Sequence, residues 1–200
     1  MLIAISACSS STTEPSITTD FRTPNINNSV ADGLTEVEGG SIADSDGDGF
    51  SYAVGTGANG NYYGYAGMIR TTGITPPPTN GTATMTGSYY IGAYKNITMI
   101  DGALTKEGGS YSDTLKLTAD FGAGTLIGAS APAGPGAPPV LSVNATFTPG
   151  GTSDALAGSV THNGVVGDLN GFVSATKAIG AYHGSDDTFV YAGGFTVKTP

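Results

Sequence analysis

Between Leu156 and Phe172 the chain reads LAGSVTHNGVVGDLNGF, and the Asn163-Gly164 pair at its centre admits few conformations. A two-residue type I′ turn needs positive φ at both central positions, which Asn and Gly tolerate and most residues do not. Such a turn fixes the register on either side. His162 then faces Val165, Val160 faces Gly167, Gly158 faces Leu169 and Leu156 faces Gly171. On that face each large side chain meets a glycine, except at the turn, while Ser159, Thr161, Asp168 and Asn170 occupy the other face. Alternating large and small residues is how the interior of a small closed barrel is filled.

The same two-residue period recurs. LKLTADF places Leu115, Leu117, Ala119 and Phe121 opposite Lys116, Thr118 and Asp120. LSVNATF places Leu141, Val143, Ala145 and Phe147 opposite Ser142, Asn144 and Thr146. Alternation of this kind marks half-buried strands. Strands are expected near 82–93, 110–120, 124–129, 140–148, 155–162, 165–174, 177–183 and 189–197, with further strand-like pieces at 50–54 and 61–70 beside them. Eight antiparallel strands suffice to close a barrel filled by side chains. The proline-rich loops at 75–81 and 130–140 are unsuited to pairing. With 32 glycines and only 12% charged residues, the composition fits a turn-rich all-β fold. A transmembrane barrel would show the same period. Glycines interrupting the apolar rows and the absence of tryptophan favour a soluble one. The expected class is all-β: a soluble, up-and-down, eight-stranded antiparallel barrel, preceded by a disordered tether and a short β segment.

The amino terminus, MLIAISACSSST, resembles a bacterial lipobox at Ile5-Ser6-Ala7-Cys8. There a signal peptidase cuts before the cysteine, which is then acylated. Only seven residues precede Cys8, so the natural start is expected to lie further upstream. Residues 1–8 are read as a signal-peptide remnant with lipid anchor Cys8, 9–45 as a flexible polar tether, and 46–200 as the barrel domain, its strands at about 82–197. A lipid anchor would be redundant on a transmembrane barrel. One cysteine permits no internal disulfide, so burial must hold the fold together. A formal net charge of −9 with seven scattered basic residues argues against nucleic acid as a partner.

Two polar groups invite a chemical reading. In AIGAYHGSDDTFVYAGGFT, residues 178–196, His183 lies beside Asp186 and Asp187. Catalysis needs a nucleophile or second base oriented by a third group, and a metal needs three or four ligands. The set is thin, and His162 belongs to another hairpin, so no catalytic residues are assigned. A strand-end histidine before an Asp-rich turn is the plainer reading, with Gly193-Gly194 allowing a bulge or tight curvature. In DSDGDGF, Asp44, Asp46 and Asp48 followed by Gly49 match the first half of a calcium loop. Position 12 of that loop is Gly55 instead of a bidentate Glu, so Ca2+ is a candidate ligand and a solvated acidic turn the alternative. The tyrosines of 61–67 and 87–94 suit both recognition surfaces and strands, and Tyr89 and Tyr90 must lie on opposite faces. GTGANG at 55–60 lacks the lysine and helix of a phosphate loop.

The ending GAYHGSDDTFVYAGGFT resembles the closing hairpin of the transferrin-binding protein B-like β-barrel family, to which factor H-binding protein is related. TTGITPPPTNGTATMTGSYY, LKLTADFGAGTLIGA and GVVGDLNGFV resemble, in order, the entry to the first barrel strand, a hairpin and a strand of that family. The resemblance covers roughly residues 65–197. It implies an outer-membrane lipoprotein of Gram-negative bacteria, at the cell surface or on the periplasmic face, that is not an enzyme and binds a ligand. The implied partners are an iron source, as a transferrin-like protein or haem. The ligand-binding residues are not identified by it, and a monomer is expected. The alternative is a structural or adhesive envelope lipoprotein without a soluble ligand, stabilised by calcium.

Overall fold

The computed structural model describes residues 15–27, 30–70, 75–100, 103–132, 134, 140–151 and 155–200. Cys8 lies outside the described residues. The strands are β1 (Ile17–Phe21), β2 (Ile26–Asn27), β3 (Val30–Ala31), β4 (Thr35–Ala43), β5 (Gly49–Thr56), β6 (Tyr62–Ile69) and β7 (Thr82–Ile100). There follow β8 (Ala103–Asp120), β9 (Thr125–Ser130), β10 (Leu141–Thr146), β11 (Ala155–His162), β12 (Val165–Val173), β13 (Lys177–Ser185) and β14 (Val190–Lys198). Strands β7 to β14 close an eight-stranded antiparallel barrel, each pairing with its neighbour in sequence and β14 pairing back with β7. A side sheet of order β1-β6-β5-β4 lies against the outer wall.

The hairpin register follows the Asn163-Gly164 turn as its chemistry requires. Both residues have positive φ, 49° and 85°, and the pairs His162–Val165, Val160–Gly167, Gly158–Leu169 and Leu156–Gly171 all form. The large residues from these pairs point inward with Met85, Tyr89, Ile91, Leu115, Leu117 and Tyr182, filling the barrel. Tyr182 and Tyr191 reach polar partners from inside, donating to the carbonyls of Tyr90 and Val165, each at 3.1 Å. On the uncovered wall β10 alternates, with Ser142, Asn144 and Thr146 outward and Leu141, Val143 and Ala145 buried, while Ile127 of β9 and Val166 of β12 are exposed apolar residues.

Where the side sheet packs, the wall is apolar on both faces. Ile179, Ala181, Val190 and Ala192 point outward and meet Phe50, Val54, Tyr62 and Ala66. Burial on both faces explains why β13 and β14 read as nearly continuous apolar runs and not as alternating ones. Gly193 and Gly194 therefore make no bulge; pairing runs through both without a register shift. They are sites of close approach instead. A Cβ on Gly193 would lie 2.8 Å from the ring of Tyr182, and one on Gly194 would lie 2.3 Å from the ring of Phe50.

Two expectations are corrected. Much of the span read as a flexible tether, 9–45, is folded: β1, β2, β3 and β4 all fall in it. An edge strand gains its place through one row of backbone hydrogen bonds to a more apolar neighbour, so its own sequence need not be apolar. β1, ITTDF, pairs in parallel with β6 along its whole length, and β4, TEVEGGSIA, pairs with β5. The second correction concerns β7 and β8, expected at 82–93 and 110–120. They continue as a two-stranded ribbon in which Lys95 pairs with Glu107 and Thr98 with Thr105. The ribbon leans on the side sheet: Lys106 pairs with Glu36, and Ser110 donates to Glu38 at 2.8 Å.

Candidate functional site

His183, Asp186 and Asp187 do not form a reactive group. His183 points outward from β13 beneath β1, with Phe21 edge-on at 4.4 Å between ring centroids. It is 5% exposed, and neither ring nitrogen has a hydrogen-bond partner among the described residues. Asp186 closes the hairpin turn, accepting from the Thr188 amide at 2.8 Å and its hydroxyl at 3.2 Å. Asp187 is exposed.

His162 sits at the end of β11. Its Nδ1 lies 2.9 Å from the carbonyl of Val140. A carbonyl only accepts, so Nδ1 carries the proton and Nε2 the lone pair, with the Asn163 amide nitrogen 3.3 Å away. Burial lowers the His162 pKa from its ordinary 6.5, although the Val140 hydrogen bond opposes this. Burial also lowers that of His183, against the opposing charges of Asp168 and Asp20.

A dependence on pH follows. In the unfolded chain both rings take up protons near pH 6.5; in the folded chain they resist protonation until lower pH. The stability they contribute is fully present above the unfolded value and is lost as the pH falls toward the folded ones. Unfolding free energy measured in urea is expected to decline below pH 6.5 with a limiting slope of about 1.4 kcal/mol per pH unit for each histidine. His162→Gln and His183→Gln should each remove one such increment. A flat profile through this range would contradict the buried, neutral placement.

The acidic loop is assembled, around this chain's own cation. Asp44, Asp46 and Asp48, in the turn between β4 and β5, hold carboxylate oxygens within 4.8 Å of one another. The ammonium of Lys177, the first residue of β13, lies among them at 3.1, 3.1 and 2.9 Å. The Asp44 carboxylate also accepts from the amides of Asp46 and Asp48 at 2.9 and 3.1 Å, which shapes the turn. Lys198, at the end of β14, stands 3.5 Å from Asp44. Burial works against the Lys177 charge, but the three carboxylates outweigh it and raise its pKa. Burial likewise pushes Asp44 up, while Lys177 and the two amides together bring it below the usual carboxylate value. Chemically this is an ion lock between side sheet and barrel.

Besides shallow clefts of about 300 and 400 Å³ near Pro15 and Asp187, a cavity of about 280 Å³ lies at the barrel mouth, at the end from which the ribbon projects. Ala93, Val140, His162 and Phe189 form its inner walls, and Lys95, Tyr111 and Asn163 line it further out. Tyr111 faces inward because it pairs with Ile91, a core residue. It lies past the point where β9 ends, opposite Leu115, so its ring stays 46% exposed. Phe189 lies 5.6 Å from the His162 ring, and Tyr191 lies edge-on to that ring at 5.3 Å. Of the tyrosines in the two expected stretches, Tyr89 fills the barrel, Tyr90 packs against the side-sheet core, and Tyr62 and Tyr94 lie within that core. The sequence reading did not single out Tyr111 or Phe189; the Asn163-Gly164 turn already marked this end of the barrel.

The closed barrel with its side sheet is a fold found in solved structures. A solved surface lipoprotein structure superposes with a TM-score of 0.53 at 13% identity, covering 81% of each chain. Transferrin binding protein B from serogroup B Neisseria meningitidis gives 0.49 at 12% identity, covering 89% of this chain and 39% of that one. The corresponding protein of Actinobacillus pleuropneumoniae H49, as a mutant, gives 0.47 at 14% identity over 88% of this chain and 82% of that one. No family model matches the chain, and no curated protein matches it. The fold is the one that the sequence resemblance implies.

Proposed function

We propose that this chain is the ligand-binding barrel of a non-enzymatic lipoprotein, held at the outer membrane by an acylated Cys8, that captures an iron source. A transferrin-like protein and a haem-type ligand are the two partners this reading names. The observation that carries it is the mouth. The barrel is filled with side chains along its length, yet keeps one aromatic-walled cavity of about 280 Å³ beside a projecting ribbon. Ligand sites are concave, mostly apolar and furnished with a few polar groups, and this cavity has that make-up just below the usual size range. A binding surface built this way needs no reactive constellation, and His183 is occupied in packing.

The filled barrel and the Lys177 lock favour a second reading, a structural or adhesive envelope lipoprotein without a soluble ligand. The two separate in one experiment. The full chain, immobilised, is exposed to purified transferrin and to haemin. Saturable retention of one of them supports capture; retention of neither transfers the reading to the structural role.

A further inference from the structure

We propose that the barrel mouth is a subsite for a small aromatic carboxylate. This rests on the binding reading above and names the chemistry the mouth accepts. The inner wall is the Phe189 ring beside the His162 ring, and the outer wall is the half-exposed Tyr111 ring. Aromatic surfaces at several angles favour a flat ring, which meets them face or edge on. His162 is buried, with Nδ1–H directed at the Val140 carbonyl and Nε2 facing the Asn163 amide nitrogen, so the neutral ring adds surface and no charge. Lys95 is then the charged residue among those lining the cavity.

The Lys95 ammonium carries three N–H donors. One reaches Glu107 at 3.1 Å, and Asn96 donates to the other oxygen of that carboxylate at 3.0 Å. Glu107 is thus held along the ribbon, and Lys95 retains donors for an anionic group at the cavity entrance. Asn163 supplies an amide on the opposite side. A volume of about 280 Å³ matches a single ring with a short acidic arm and is below what drug-sized ligands occupy.

The test is a titration of the 15N-labelled full chain with benzoate, alongside benzamide (the same ring without the charge) and cyclohexanecarboxylate (the same charge without the flat ring). Benzoate is expected to give saturable shifts centred on the Lys95, Tyr111 and Asn163 amides. Benzamide and the Lys95→Met variant should each bind roughly tenfold more weakly, the scale of one charge-assisted hydrogen bond. Tyr111→Ala alters an exposed ring and should weaken benzoate without changing the thermal midpoint. Absence of saturable shifts at millimolar benzoate, shifts centred elsewhere, or equal binding of all three probes would overturn the proposal. If benzoate fails while transferrin or haemin is still retained, only the ligand class falls.

Discussion

Lys177→Met is expected to lower the unfolding free energy by about 3–5 kcal/mol, the cost of removing one partner from a buried ion cluster. The lysine side chain is 14% exposed, and the carboxylates of Asp44 and Asp48 only 4% and 1%. Without the ammonium, the buried carboxylates of Asp44 and Asp48 face each other with the Lys177 hydrogen bonds lost, and Lys198 stands 3.5 Å from Asp44. Asp46 matters less because its side chain is 58% exposed and water screens it. Urea unfolding measures the loss. Asp44→Asn with Asp48→Asn in the Lys177→Met background should recover much of it, because the penalty is repulsion between like charges and not lost volume. Calcium is expected to raise the midpoint of Lys177→Met, whose three carboxylates then offer the oxygen ligands that ion prefers, and to leave the unaltered chain unchanged. A midpoint for Lys177→Met equal to that of the unaltered chain would show that the lock contributes nothing.

Phe50→Ala should cost a similar amount, about 3–5 kcal/mol. Phe50 is fully buried on β5, with Tyr52 and Tyr90 at 6.1 and 6.2 Å and the backbone of Gly194 beneath it. Gly194→Ala approaches the same contact from the barrel side. Its methyl would stand 2.3 Å from the Phe50 ring and 2.6 Å from the Gly180 carbonyl, and overpacking of this kind costs about 1–3 kcal/mol. The double variant should cost less than the sum, since removing the ring removes one of the clashes. Strict additivity would mean that the side sheet does not bear on the barrel at this point.

The barrel was legible because its uncovered strands alternate, and because one Asn-Gly turn fixes two strands at once. Each of the eight barrel strands overlaps a segment the period marks, while the ribbon extensions of β7 and β8 do not follow from it. The side sheet was much less so. β1 and β4 are polar edge strands ordered by their neighbours' backbones, a contribution that composition does not record. The glycine pair 193–194 signalled an irregularity but not its kind, since space for Tyr182 and Phe50 depends on residues far away in sequence. The acidic loop reads locally as a candidate calcium loop or a solvated turn, because Lys177, the ammonium it holds, lies more than a hundred residues further on. Tyr111 and Phe189 carried no local mark: each is one aromatic among many until the register brings both to the mouth.

The proposed function divides the chain into a scaffold and a binding end, and binding by variants tests the division most directly. Surface plasmon resonance would compare transferrin and haemin on the full chain, on Tyr111→Ala with Lys95→Met, and on His183→Gln. The account predicts that the retained ligand is lost or strongly weakened by the mouth substitutions and kept by His183→Gln. Loss of binding in His183→Gln, with the mouth variant unaffected, would contradict it.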